Sequence, residues 1–293
     1  MTLEEIAKCI ENDLKTKLDG CGIMFRLFSR VKTPYSLEHK MSLKGEKYRN
    51  GIGKIQDMIG LRIVVYFPDD IEIVELLINK NKVLDRSIDD PDSCTFMPQR
   101  LNIICRISDN YVEAFRESLP KDFAEFIDDS YEVQIRTIFS EGWHEVEHDL
   151  RYKCKNDWVG YENYSRTLNG VIATLETAEW SMKSLFSQMA YENYRNGNYS
   201  AMLRNHLRIR LKGKGLSPKL ESFLQHHSDV AFAVYNMDRE VFLFSMLCHK
   251  KCISLDYDTA LFLINRMEIQ DMDLMALEDN EMKNKISGFL KNN

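Results

Sequence analysis

The sequence predicts an α/β domain over residues 1–158, followed by an all-helical region over residues 159–293. Three observations carry this. Tyr131, Val133 and Ile135 alternate with Glu132, Gln134 and Arg136, the period of a strand with one polar face. Leu61–Phe67 is a near-continuous run of β-branched and aromatic residues, as a strand buried on both faces requires. Beyond residue 160, apolar residues recur at spacings of four and three over a long stretch, the period of a packed helix.

Taken in order, residues 2–18 form an amphipathic helix with Leu3, Ile6, Ile10 and Leu14 on one face, ended by Gly20 and Gly22. The segment Phe25–Lys47 is rich in positive charge, and Pro34 suits the first turn of a helix running towards Lys44. The strand Leu61–Phe67 follows, then a Pro68-Asp69-Asp70 turn and a short helix over Ile71–Asn79. Val83–Ile88 and Leu101–Ile107 read as strands on either side of a loop, Asp89–Pro98. Tyr111–Leu119 and Lys121–Ile127 read as helices before the strand at Tyr131. From Phe139 the period lengthens to that of a helix. Trp143, Val146 and Leu150 are expected to face the core, with Glu145, His148 and Tyr152 on a neighbouring stripe. The order β-α-β-loop-β-α-β defines the α/β domain.

The long helix, 162–190, carries the seam Tyr164, Leu168, Val171, Leu175, Ala178, Met182, Leu185 and Met189. Packing within the molecule is the favoured reading over a dimer contact. Short helices follow Gly197.

Composition narrows the function. A net charge of -6 excludes a uniformly basic nucleic-acid surface. Seven cysteines, an odd number without paired short spacings, point to reduced thiols in a cytoplasmic protein. The start of the chain reads as a helix rather than a signal peptide, and no uncharged run approaches membrane-spanning length, so no membrane is expected.

Three segments carry the candidate chemistry. Arg30 and Lys32 precede a helix that presents Ser36 and Lys40 one turn apart, a set of charges and a hydroxyl suited to a polyphosphate. Asp57 lies ahead of the strand that contains Gly60 and Arg62, where a carboxylate can hold a divalent metal. Glu132, Gln134 and Arg136 line one strand face. Together they supply two carboxylates for Mg²⁺ and a phosphate cradle, the kit for phosphoryl-type transfer.

With these residues in view, the chain resembles a family. Arg30–Lys40, DMIGLRI, and EVQIRT followed by WHEVEHDLRYK are similar in order and spacing to the synthetase domain of RelA/SpoT-type alarmone enzymes, over about residues 20–155. The likeness is to the small, synthetase-only branch, which includes toxins of toxin–antitoxin and phage-defence systems. It implies a nucleotidyltransferase-like mixed sheet flanked by helices. It also implies transfer of the β,γ-pyrophosphate of ATP to the 3′-hydroxyl of GDP or GTP, giving (p)ppGpp, the messenger of the stringent response. By resemblance, Arg30 and Arg62 sandwich the adenine, and Lys32, Ser36 and Lys40 hold the ATP phosphates. Asp57 binds Mg²⁺. Glu132 shares the metal and takes the acceptor proton. Gln134, Arg136, His148 and Lys153 line the acceptor side.

One segment departs from the family. A glycine–tyrosine loop, whose tyrosine stacks on guanine, is replaced by Phe96–Asn102, with proline near the tyrosine position and Asn102 near a histidine position. Phe96 is the candidate stacking face. The acceptor thus stays open among a guanine nucleotide, another nucleotide and the 3′ end of a tRNA. A catalytically silent nucleotide-binding module is the reading from a different class. The tRNA reading has its own hook in the basic run Arg195–Lys219, for which a solvated face is favoured. A homo-oligomer, an antitoxin or another regulatory partner stays open for the helical region.

Two strings look like metal sites and are read otherwise. His144-Glu145-Val146-Glu147-His148 spells a zinc-protease motif without an evident third ligand, and Cys248-His249 with Cys252 is read as core and surface.

Overall fold

A computed structural model of the chain describes residues 1–88, 101–249 and 252–291. The expected loop Asp89–Pro98, with Phe96, lies outside the described residues.

The chain forms two compact units. One comprises Met1–Lys15, Phe25–Tyr66 and Val74–Glu176; the other comprises Thr16–Met24, Phe67–Ile73 and Thr177–Asn293. The first unit is built on a five-stranded mixed sheet. The elements run α1 (Leu3–Cys21), β1 (Phe25–Val31), α2 (Pro34–Arg49), β2 (Ile59–Val65), α3 (Asp70–Ile78), β3 (Val83–Ile88), β4 (Leu101–Arg106), α4 (Val112–Glu117), β5 (Ser130–Thr137) and α5 (Ile138–Glu147), the last residues of α1 and the first of α3 belonging to the second unit. The strand order is β1-β2-β5-β4-β3. Among the strand pairs of the described residues, only β2–β5 is parallel. This is the expected mixed sheet flanked by helices.

The two central strands are the two that the sequence marks most strongly. Six of the seven residues of β2, all but Arg62, are buried, and β5 buries Tyr131, Val133 and Ile135. Removing such side chains from water is the main stabilising term, roughly 1.5–3 kcal/mol for each large apolar residue.

Several elements differ from expectation. β1 occupies part of what reads as a charged lead-in to a helix. Its outward positions Arg26, Phe28 and Arg30 mix charge with an aromatic ring, which blurs the alternation. Lys121–Ile127 is not a helix but a single 3₁₀ turn at Ala124–Phe126. Its backbone is drawn into a short parallel bridge, with Asp128 N–H donating to Ile55 O at 2.9 Å. Of the residues expected at the core face of α5, Trp143 is buried, whereas Val146 is 49% and Leu150 64% exposed. His144 and Glu147 take the inner positions instead, and a π turn over His148–Tyr152 rotates Leu150 away.

The helical region begins with α6 (Glu162–Arg195), followed by α7 (Tyr199–Leu207), α8 (Pro218–His226), α9 (Ser228–Asn236), α10 (Arg239–Cys248), α11 (Tyr257–Ile264), α12 (Met272–Ala276) and α13 (Asn280–Leu290). The expected seam of α6 is not its buried stripe. Tyr164, Val171, Leu185 and Met189 are exposed, while Ile172, Glu179 and Ala190 are buried. In the second unit, Asp69 and Asp70 lie buried among Arg208, Arg239 and Lys183. Arg208 donates to Asp69 at 2.5 Å and Arg239 to Asp70 at 2.7 Å. The described cysteines are free thiols. No helix among the described residues is long and apolar enough to cross a membrane.

Candidate active site

One face of the sheet assembles the polar strand residues by register alone. Phe28 of β1 pairs with Arg62 of β2, and Arg30 pairs with Gly60. Across the parallel pair, Gly60 faces Glu132 and Arg62 faces Gln134. Gln134 in turn faces Asn102 of β4. Side chains at paired positions share a sheet face, so these residues form rows across four strands. Gly60 makes room in its row: a Cβ there would stand 3.4 Å from Arg30 Nε.

This face floors a cavity of about 460 Å³. The cavity brings together Arg30, Arg62, Glu132, Gln134, Arg136, His148 and Lys153 from the sequence-derived set, and adds Phe28, Glu145 and Asp149. Phe28 is 53% exposed, an aromatic surface beside Arg62 that the disguised alternation of β1 hid. Asp149 ties Lys153 and His148 together, with Lys153 Nζ donating at 2.7 Å and His148 Nδ1 in contact at 3.0 Å. Those contacts hold its carboxyl below the usual value.

Arg62 is anchored by two carboxylates from α5, donating to Glu141 at 2.5 Å and also to Glu145. Burial works against its charge, but the two glutamates outweigh burial and raise its pKa. Arg136 is almost wholly buried. It donates to Glu141 at 2.9 Å and to Gln134 at 3.1 Å. Gln134 donates to Glu132 at 2.9 Å. Nothing in the local sequence marks Glu141 as part of this set, because one of its partners lies 79 residues away.

Asp57, Lys32 and Lys40 form a second group. Both oxygens of Asp57 are occupied, by Lys32 at 2.8 Å and Lys40 at 2.7 Å. Burial pushes this carboxyl up, but the two lysines more than offset it and hold the pKa below the ordinary value. Lys32 is fixed through its backbone N–H, which donates to Met58 O at 2.9 Å. Ser36 sits in the first turn of α2. There Thr33 caps the helix and shares a 2.9 Å hydroxyl contact with Ser36.

The zinc-protease string does not assemble a zinc site. His144 is 3% exposed, whereas the His148 side chain is 52% exposed and bonded to Asp149. Among the described residues no group of three or more His, Cys, Asp or Glu is placed to hold a metal. The basic run after Arg195 is partly used internally. Arg208 is buried against Asp69, Arg204 donates to Tyr257 and Lys219 to Leu277 O.

The family match falls on the segment that carries the motifs. Residues 29–157 match the family described as the region found in RelA / SpoT proteins. Among solved structures, the chain is similar to a GTP pyrophosphokinase family protein from Streptococcus pneumoniae, at 22% identity over 63% of this chain and 94% of that one, with a TM-score of 0.44. It is also similar to small alarmone synthetase 1 from Bacillus subtilis bound to its product pppGpp, at 23% identity over 61% and 92%, with a TM-score of 0.42. Small alarmone synthetase 2 from the same organism aligns at 21% identity over 62% and 96%, with a TM-score of 0.44. No curated protein matches the chain.

Proposed function

We propose that the protein is a pyrophosphotransferase that moves the β,γ-pyrophosphate of ATP onto the 3′-hydroxyl of GDP or GTP. The observation that carries this reading is the sheet face itself. Guanidinium groups of Arg30 and Arg62 stand in register beside Glu132 within a RelA/SpoT region, and the Lys32–Asp57–Lys40 group lies just ahead of β2.

In this reading Lys32, Ser36 and Lys40 neutralise the triphosphate, and Arg30 and Arg62 flank the adenine. His148, Lys153 and Arg136 serve the acceptor side. The acceptor 3′-oxygen forms a bond to the β-phosphorus, the bond from that phosphorus to the α,β-bridging oxygen breaks, and AMP leaves. The hydroxyl proton passes to Glu132. A general base of this kind contributes about 10²–10⁴-fold, and alignment with charge neutralisation supplies the rest. Asp57 and Glu132 are hard oxygen donors that fit Mg²⁺, with Asp57 held ionised by its lysines. A bound Mg²⁺ supplies charge stabilisation to the phosphoryl oxygens.

The test uses the full-length protein with γ-³²P-ATP and Mg²⁺, offered GDP, GTP or deacylated tRNA in separate reactions. Label on GDP or GTP is the expected result. Label only on tRNA assigns the protein to the tRNA-modifying toxins, and no label on any acceptor leaves a silent nucleotide-binding module.

A further inference from the structure

We propose that Glu141 is a positioning residue that sets the donor and acceptor halves of the site together. This inference rests on the pyrophosphotransfer reading for the roles of the groups it holds, and on geometry for the rest.

Glu141 stands in the first turn of α5, where the helix N-terminus favours a carboxylate. Its side chain is 14% exposed, and each oxygen has its own guanidinium. Oε1 accepts from Arg62 of β2 and Oε2 from Arg136 of β5. The effect continues past the arginines. Gln134 Oε1 accepts from Arg62 Nε at 3.3 Å and from Arg136 Nη2 at 3.1 Å. Two donors on that oxygen fix the amide orientation, so Gln134 Nε2 must donate, and it donates to Glu132 Oε2. Glu132 Oε1 is left without a partner among the described residues, ready for the acceptor proton. One partly buried carboxylate thereby aims Arg62 on the donor side and Glu132, through Arg136 and Gln134, on the reacting side.

Glu145 does not do the same work. It touches Arg62 alone and its side chain is 57% exposed, so water screens the pair. Glu141 also has to be a carboxylate. In Glu141→Gln one oxygen becomes an amide N–H₂, which faces a guanidinium donor and breaks one arm of the bridge while removing the charge that balances two arginines.

The experiment has two arms on the full-length protein. Calorimetry with a non-hydrolysable ATP analogue and Mg²⁺ compares wild type, E141Q, R62A and the double variant. E141Q is expected to weaken binding about tenfold in the wild-type background and to change nothing further once Arg62 is gone. Steady-state transfer then separates kcat from KM. E141Q is expected to lower kcat at saturating ATP by about 10–100-fold, the scale of a misplaced reacting group. A binding loss that persists in the R62A background, or an unchanged kcat at saturating ATP, overturns the proposal. If E141Q loses its fold by circular dichroism, E141D enters the same cycle, since its shorter carboxylate keeps the charge but cannot span both arginines. If the wild type transfers to no acceptor, the proposed function fails, and the binding cycle alone decides on Glu141.

Discussion

Asp57 is neutralised by the very cations proposed to meet the triphosphate. A carboxylate held by Lys32 and Lys40 leaves those lysines less attractive to a phosphate that arrives without metal. The substitution D57N is therefore expected to act in opposite directions. With Mg²⁺ it abolishes transfer, as does E132A. In EDTA it tightens binding of the ATP analogue by freeing both lysines, and calorimetry with and without metal checks the sign reversal. His206 offers a second residue-level test. Burial lowers its pKa below the usual 6.5, and its ring nitrogen contacts Met237 O at 3.1 Å. The unfolded chain binds the proton first, so stability is complete above pH 6.5 and is lost as pH falls through the lower folded-state value. Urea titrations at pH 7.5 and 5.5 should show that loss in wild type and a smaller one in H206Q.

At the scale of elements, legibility followed how cleanly each strand's residues alternate or run apolar rather than its place in the sheet, since the edge strand β3 was read at Val83–Ile88. β2 and β5 could be read because central strands bury long apolar runs or alternate cleanly. β1 could not, since Phe28 stands on the same outward face as Arg26 and Arg30. Arg30, Arg62, Glu132, Gln134, Arg136, His148 and Lys153, singled out in the sequence, line one cavity. Glu141 was not legible there, because its contacts exist only once helix α5 has been folded against Arg62 of β2 and Arg136 of β5. The C-terminal turn of α1 shows the converse, a glycine set by packing. A Cβ on Gly20 would lie 2.6 Å from Cys252 Sγ. Alanine there should gain helix propensity of about 1 kcal/mol yet lower the melting temperature, and C252G in the same chain should restore it.

For the molecule as a whole, the second unit is organised around charges that composition alone does not locate. Burial pushes Asp70 up. Asp69 is held down by Arg239, Arg208 and Lys183 against the same effect. Removing one cation from such a buried set leaves an uncompensated carboxylate, so R239M is expected to cost about 3–5 kcal/mol, read as a lower urea midpoint. The sequence shows Asp69-Asp70 only as a turn signal, and the arginines that satisfy it lie 139 and 169 residues further on.

The parallel pairing of β2 with β5 has a consequence for biosynthesis. Residues 59–65 leave the ribosome long before residues 130–137, and neither strand has its central neighbour until both exist. A nascent or truncated chain ending before Ser130 carries Lys32, Lys40 and Asp57 but lacks Glu132 and the strand that completes the sheet. On the proposed pyrophosphotransfer reading, competence therefore arrives abruptly, after translation has passed Lys153, rather than growing with chain length.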